Sequence, residues 1–301
     1  TGYSRRCGMI KYKTMENRIF DFVVTVLLVL LGLFCLLPLL HVLALSLSSK
    51  NAAVSGQVSF WPVQFTLASY EYLLQDSRFL DAFLVSVKRV ILGGGLNLIC
   101  TVLMAYPLSL EKDEFPSRDR YMWFTIFCML FGASVVPWYF VIKETGLLDS
   151  IWALVVPSAV PVYNVILLMN FFRGQPKAIK ESAKIDGINQ VQMMLLICVP
   201  LAKPAIATVT LFSIVSHWNN FFDGMLLINT PSKVPLQTYI QSLVINMSNT
   251  SQMSTEQMIN LMSQRTFNSS KIVVATIPIL IIYPFMQKYF VTGITLGSVK
   301  E

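Results

Sequence analysis

Charge is scarce in this chain: Lys, Arg, Asp and Glu together make up 13% of its 301 residues, against 54% hydrophobic. Soluble domains carry roughly 25% charged residues, so water is not the main solvent of this protein. Histidine is scarcer still, with His41 and His217 alone. Neither H-E-x-x-H nor G-x-S-x-G occurs, which leaves a membrane-embedded hydrolase without a recognisable metal set or nucleophile and base. The phosphate-cradling G-x-x-x-x-G-K-[ST] is also missing, so the chain is not expected to bind ATP itself. The cysteines (Cys7, Cys35, Cys100, Cys128, Cys198) show no C-x-x-C spacing and read as reduced, small hydrophobes. The net charge of +7 is spread along the chain rather than clustered, which argues against nucleic acid as a partner.

What the sequence has in abundance is apolar runs. Charge-poor stretches near 22–46, 83–110, 121–141, 151–171, 204–228 and 272–296 are each long enough to cross a bilayer core of roughly 30 Å as a helix. Six spans place both ends of the chain on one side. Most of the 23 lysines and arginines then fall on that side, among them Arg5, Arg6, Lys112, Arg118, Lys177, Lys180, Lys184 and Lys300, and the retention of positive charge makes it the cytoplasmic one. The expectation is a single transmembrane domain over 1–301, with a cytoplasmic amino-terminal segment at 1–20 and a cytoplasmic tail at 287–301. A cytoplasmic segment is expected at 174–204 and an external loop at 229–270. The first run is too long for the core of a signal peptide and reads as an uncleaved span. The external loops either cap a cavity or act as solvated connections.

The segment at 174–204 is the most informative. After Gly174-Gln175-Pro176 comes K-A-I-K-E-S-A-K-I-D-G-I-N-Q-V-Q-M-M-L-L-I-C-V-P-L-A-K-P, from Lys177 to Pro204. Pro176 suits a first helical position, Ala178, Ser182 and Ile185 share a face at helical spacing, and Gly187 is a natural helix end. Apolar residues resume at Val191, Met194, Leu195 and Cys198, predicting a second helix that stops at Pro200.

This pattern resembles the permease subunits of bacterial ABC importers, whose hallmark is E-A-A, three residues, Gly, nine residues, then I-x-L-P. Glu181-Ser182-Ala183, Gly187, Ile197 and Pro200 fall at that spacing, with Ser182 and Val199 as departures. Asp186-Gly187, Pro200-Leu-Ala-Lys-Pro204 and Trp218-Asn219-x-Phe221 are similar to the carbohydrate-uptake branch. The resemblance implies an all-α polytopic membrane protein of six transmembrane helices with a cytoplasmic coupling helix, the type I ABC importer permease fold. It implies a coupling helix that docks in a cleft of an ATPase through Glu181, Ser182, Ala183, Ile185, Asp186 and Gly187. It further implies a glycine-bearing tail, with Gly293, Gly297 and Lys300, reaching toward the ATPase pair. The implied partners are a homologous second permease in a heterodimer, two ATPase subunits that use ATP and Mg, an external solute-binding protein, an oligosaccharide and the lipid bilayer. No cofactor is expected on this chain, and the location implied is the bacterial inner membrane.

Polar residues inside hydrocarbon are costly, so they are the first candidates for a substrate path. They are Pro38, His41, Lys88, Arg89, Asn97, Tyr163, Asn164, Ser216, His217, Trp218, Asn219, Asn220 and Asp223. Lys88 and Arg89 either snorkel to headgroups or face a cavity and attract an acidic oligosaccharide, such as an alginate-type oligouronate. Trp218 either stacks on a sugar or anchors a helix. Gly93-Gly94-Gly95 permits close helix approach or bending. An ion-coupled secondary transporter or channel is the rival class, but it leaves the 174–204 pattern unexplained.

Overall fold

The computed structural model describes residues 15–248 and 264–298. Among them the secondary structure is helical. The helices are α1 (Met15–Ser46), α2 (Lys50–Val54), α3 (Ala68–Gln75), α4 (Ser77–Ser109), α5 (Arg118–Leu130), α6 (Val135–Glu144) and α7 (Ile151–Val155). They continue with α8 (Val162–Arg173), α9 (Lys177–Ile185), α10 (Gln190–Leu201), α11 (Lys203–Asn219), α12 (Phe222–Leu227), α13 (Leu236–Ser248) and α14 (Arg265–Ser298).

Three helices are long and apolar enough to cross a membrane unaided, within α1, α4 and α14. Three bent pairs are long and apolar enough to cross when each is taken together: α5 with α6 at 112°, the Ile151–Ser158 segment with α8 at 45°, and α10 with α11 at 85°. With each bent pair taken as one span, the count of six agrees with the apolar runs, but the third, fourth and fifth are broken. Ser134 and Pro161 adopt extended backbone ahead of α6 and α8. At the second break Pro157 and Pro161 each lack the N–H that a continuous helix requires.

α4 is the mast of the bundle. It packs most extensively on α11 and α8 and also meets α7 and α13. One face carries Ser86, Arg89, Gly93, Asn97 and Thr101, all buried, at helical spacing. The triple glycine does not break this helix. Instead, a Cβ placed on Gly93 would lie 2.5 Å from the His217 ring, whereas one on Gly95 would meet nothing within 4 Å. Gly93→Ala is therefore expected to force α4 and α11 apart and cost about 1–3 kcal/mol, the range for overpacking a filled core. Gly95→Ala is expected to be neutral, and thermal melting of the two purified variants makes the comparison.

Two apolar cores sit toward opposite ends of α4. One joins Ala105, Tyr106 and Leu108 to Leu168 and Phe172 of α8, Ala183 of α9, and Met193, Met194 and Cys198 of α10. The other joins Phe79 and Ala82 to Leu73, Trp218, Leu236 and Ala275. The region after α12 is helical in part: α13 is tied to α4 by Leu236 N donating to Ser86 Oγ at 2.8 Å. Lys271 of α14, 4% exposed in its side chain, bonds Asp76 Oδ2 at 2.8 Å and Tyr239 Oη at 2.6 Å. Its ammonium also lies 4.1 Å from the Phe267 ring centroid.

Candidate functional sites

The first site is the turn between α9 and α10. Gly187 has φ +76°, a left-handed conformation that glycine adopts without steric cost. Gly187 N donates to Lys184 O at 3.0 Å and Ile188 N to Ala183 O at 3.2 Å, the two bonds of a Schellman motif. The next residue starts the following helix with a capping box. Gln192 N donates to Asn189 Oδ1 at 2.9 Å, and Asn189 N donates to Gln192 Oε1 at 3.1 Å. A turn of four residues is thereby closed at both ends. Ala183 is buried in the core while Ile185 is 86% exposed, so α9 holds on by one small face and offers the rest outward.

α9 is also strapped sideways to the loop after α4. Lys177 Nζ lies 2.6 Å from Glu111 Oε1, and Lys184 pairs with Glu114. Exposed pairs of this kind are screened by water and add little to stability, so they orient the helix more than they stabilise it. Glu181 lines the same polar cavity, of about 670 Å³, between loop and helix. Ala178, Ser182, Ala183 and Asp186 line another of about 440 Å³ with Ile188 and Ile197.

α10 differs from expectation in two respects. Met193–Cys198 is wound as a π-helix, and the helix passes Pro200 to end at Leu201. Pro200 lies at the start of its last turn, and the break follows at Ala202, ahead of Pro204 in the first turn of α11. At the far end of the chain, Gly293 and Gly297 fall within the last turns of α14, and Lys300 lies outside the described residues.

The second site lies beside the break in span four. A groove of about 500 Å³ is walled by Asn97, Ser158, Tyr163, Asn164, Ser213 and Ser216, with Val160, Pro161 and Phe212 completing it. Asn164 Nδ2 donates to Val209 O and Ser213 Oγ, both at 3.2 Å. Asn97, with its amide assigned from its partners, donates to Ser158 O at 3.0 Å and Gly93 O at 3.1 Å, and accepts from His217 Nε2 at 3.2 Å.

Arg89 and Lys88 part company. Arg89 is 1% exposed, and its guanidinium grips Asp223 with both terminal nitrogens while donating to Asn220 O at 3.0 Å. Asn220 Nδ2 adds a bond to Asp223 Oδ2 at 3.1 Å. Lys88 stands on the exposed face of α4 with Leu84 and Ile91, and neither cation lines the groove. Trp218 is buried, donates from Nε1 to Ala275 O at 3.1 Å and meets Phe83 edge-on. Asn219 is exposed at the end of α11. Sequence reasoning picked out Arg89, Asn97 and Asp223 singly but missed the Arg89–Asp223 pair and the polar stripe of α4, although the stripe is visible as Ser86, Arg89, Asn97 and Thr101 at spacings of three, eight and four.

A third polar centre ties the loop after α6 to that after α12. Asp149, at φ +57°, accepts from Thr230 Oγ1 at 2.6 Å, Thr230 N at 2.9 Å, Lys233 Nζ at 2.9 Å and Asn229 N at 3.0 Å. These bonds, with that from the Thr230 hydroxyl foremost, hold its carboxyl well below the usual carboxylate range. A depressed folded-state pKa stabilises above the unfolded value of about 3.9 and is lost as pH falls through the folded one. The melting temperature of wild type is expected to exceed that of Asp149→Asn at pH 5–7. The difference should shrink as the pH drops below about 4, which pH-resolved melting of both proteins checks.

The geometry fits what the comparisons find. The profile for binding-protein-dependent transport system inner membrane components matches residues 82–296. This chain belongs to that family. It is 38% identical over 287 residues to the polygalacturonan/rhamnogalacturonan transport system permease protein YtcP of Bacillus subtilis, covering 95% of this chain and 100% of YtcP. It is 37% identical over 290 residues to protein LplC of the same organism, covering 96% and 97%. A chain from the crystal structure of a bacterial ABC transporter involved in the import of the acidic polysaccharide alginate superposes with a TM-score of 0.83. The two are 31% identical, with 93% of this chain and 99% of that chain covered. The permease is thus a non-catalytic membrane component of a binding-protein-dependent ABC importer, with the type I permease fold. It works with partner subunits and a solute-binding protein. This identity replaces the ion-coupled alternative.

Proposed function

We propose that this permease moves an acidic oligosaccharide, of the oligouronate class, into the cytoplasm across the bacterial inner membrane. It does so as one half of a heterodimer with a homologous permease, above two ATPase subunits that use ATP and Mg. Both termini and α9 lie on the cytoplasmic side, as the lysines and arginines around α9 support. The observation that carries the reading is the doubly closed turn at Asp186–Asn189. It fixes α9 relative to α10, which leads through the bend at Ala202 into α11, so a push on α9 is delivered to α10 rather than absorbed by a loop. Glu181, Ser182, Ala183, Ile185, Asp186 and Gly187 form the docking surface, and the tail with Gly293, Gly297 and Lys300 reaches toward the ATPase pair. The oligouronate class is supported by the cargo named for YtcP and for the alginate importer.

Purification of the tagged permease from its native membrane tests the assembly. The expected result is one second permease and two ATPase chains per tagged chain, with galacturonate oligosaccharide uptake by the reconstituted complex when its binding protein is supplied. A chain that purifies alone and transports down an ion gradient would overturn the reading.

A further inference from the structure

The groove at the break in span four mixes apolar and polar lining and carries no formal charge. Its polar wall is made of amides (Asn97, Asn164) and hydroxyls (Ser158, Tyr163, Ser213, Ser216). About 500 Å³ lies within the roughly 300–1,000 Å³ of small-molecule sites. Tyr163 Oη and Ser216 Oγ have no hydrogen-bond partner among the described residues, and both side chains are exposed. The Tyr163 ring leans on Phe212 with centroids 6.2 Å apart, giving the groove an aromatic wall beside its free hydroxyls.

Charge is close by and held back. Arg89 lies eight residues before Asn97 on the same face of α4, with Gly93 between them. The guanidinium is taken up by Asp223, and the His217 ring fills the space over Gly93 and bonds Asn97. Lys88 stands off the groove on another face. A hydroxylated ring entering the groove exchanges water for amide and hydroxyl partners at little cost. A carboxylate entering it loses hydration and gains no counter-ion.

We propose that this groove is the permease's own contact with the saccharide, that it reads ring hydroxyls through Tyr163 and Ser216, and that each carboxylate of the passing chain is turned away from it. Arg89–Asp223 keeps the wall neutral. The inference rests on the oligosaccharide reading above and adds to it a division of labour: the acidic groups of the cargo are carried by surfaces other than this one.

The complete reconstituted transporter tests this with galacturonate oligosaccharide and its fully methyl-esterified, neutral form. Tyr163→Phe and Ser216→Ala, each removing one exposed hydroxyl, are expected to leave the melting temperature unchanged. Each should lower uptake of both forms about five-fold, the value of one hydrogen bond. Because the carboxylates face away from the groove, the fold-loss in each hydroxyl variant should be the same for the acid and the ester. Unchanged uptake in both hydroxyl variants would overturn the proposal, making the groove a packing surface. So would a loss confined to the acid. A wild-type complex that hydrolyses ATP but takes up neither form would instead overturn the oligosaccharide reading itself.

Discussion

Gly187→Val is expected to abolish most coupled uptake while leaving the permease inserted and assembled. The backbone at Gly187 sits at φ +76°, where a β-branched residue costs of order 1–3 kcal/mol. Nothing lies within 4 Å of a Cβ placed there, so the effect is conformational rather than steric. Relief of that strain requires the Schellman bonds from Gly187 N and Ile188 N to open, and α9 then swings independently of α10. Uptake in proteoliposomes should fall by about ten-fold or more, the equivalent of roughly 1.4 kcal/mol lost from the coupled cycle. ATP hydrolysis should persist without responding to cargo. Gly187→Asn supplies the control, because asparagine tolerates the left-handed region, and it should retain most uptake. Equal uptake in Gly187→Val and wild type would show that α9 transmits force without a fixed turn.

Breaking the Arg89–Asp223 pair should have the largest effect on stability. Removing either partner leaves a lone charge among residues that are almost completely buried, a loss of about 3–5 kcal/mol in comparable sites. Arg89→Ala and Asp223→Ala are each expected to fall sharply in expression and melting temperature. Replacing both, as Arg89→Met with Asp223→Leu, should recover most of that loss, because two well-packed apolar groups avoid the desolvation of two ions. A double variant no more stable than the singles would mean that Asn220, which bonds both partners, depends on the charges for the geometry of the α11–α12 corner.

The unevenness of what could be read from sequence has physical reasons. Hydropathy measures how long an apolar run is, and the six spans appear as six runs for that reason. It does not measure direction. The turn of 112° between Leu130 and Val135, and the kink ahead of Val162, lie inside runs that look uninterrupted. Gly132, Pro157 and Pro161 were the local signs. The α9–α10 turn was legible down to Gly187, because a Schellman motif and a capping box are local devices with local signatures. Arg89 and Asp223 are separated by 134 positions, and no local pattern pairs them. The π-helical stretch of α10 was hidden for a related reason: Met193 to Cys198 is apolar at any helical pitch.

α4 runs unbroken for 33 residues, about 50 Å at helical rise, while the crossings packed against it through α8 and α11 are bent. A stiff rod among jointed neighbours behaves as an axle. Displacement entering α4 ahead of Pro107, near the strapped loop that meets α9, would reach Ser77 as rotation or translation of the whole rod, because no proline or break interrupts the helix between them. The Arg89–Asp223 clasp, Asn97 and the Gly93 seat for His217 would then turn together. Alternating access in this permease would thus be set by the gearing between one shaft and the hinges around it.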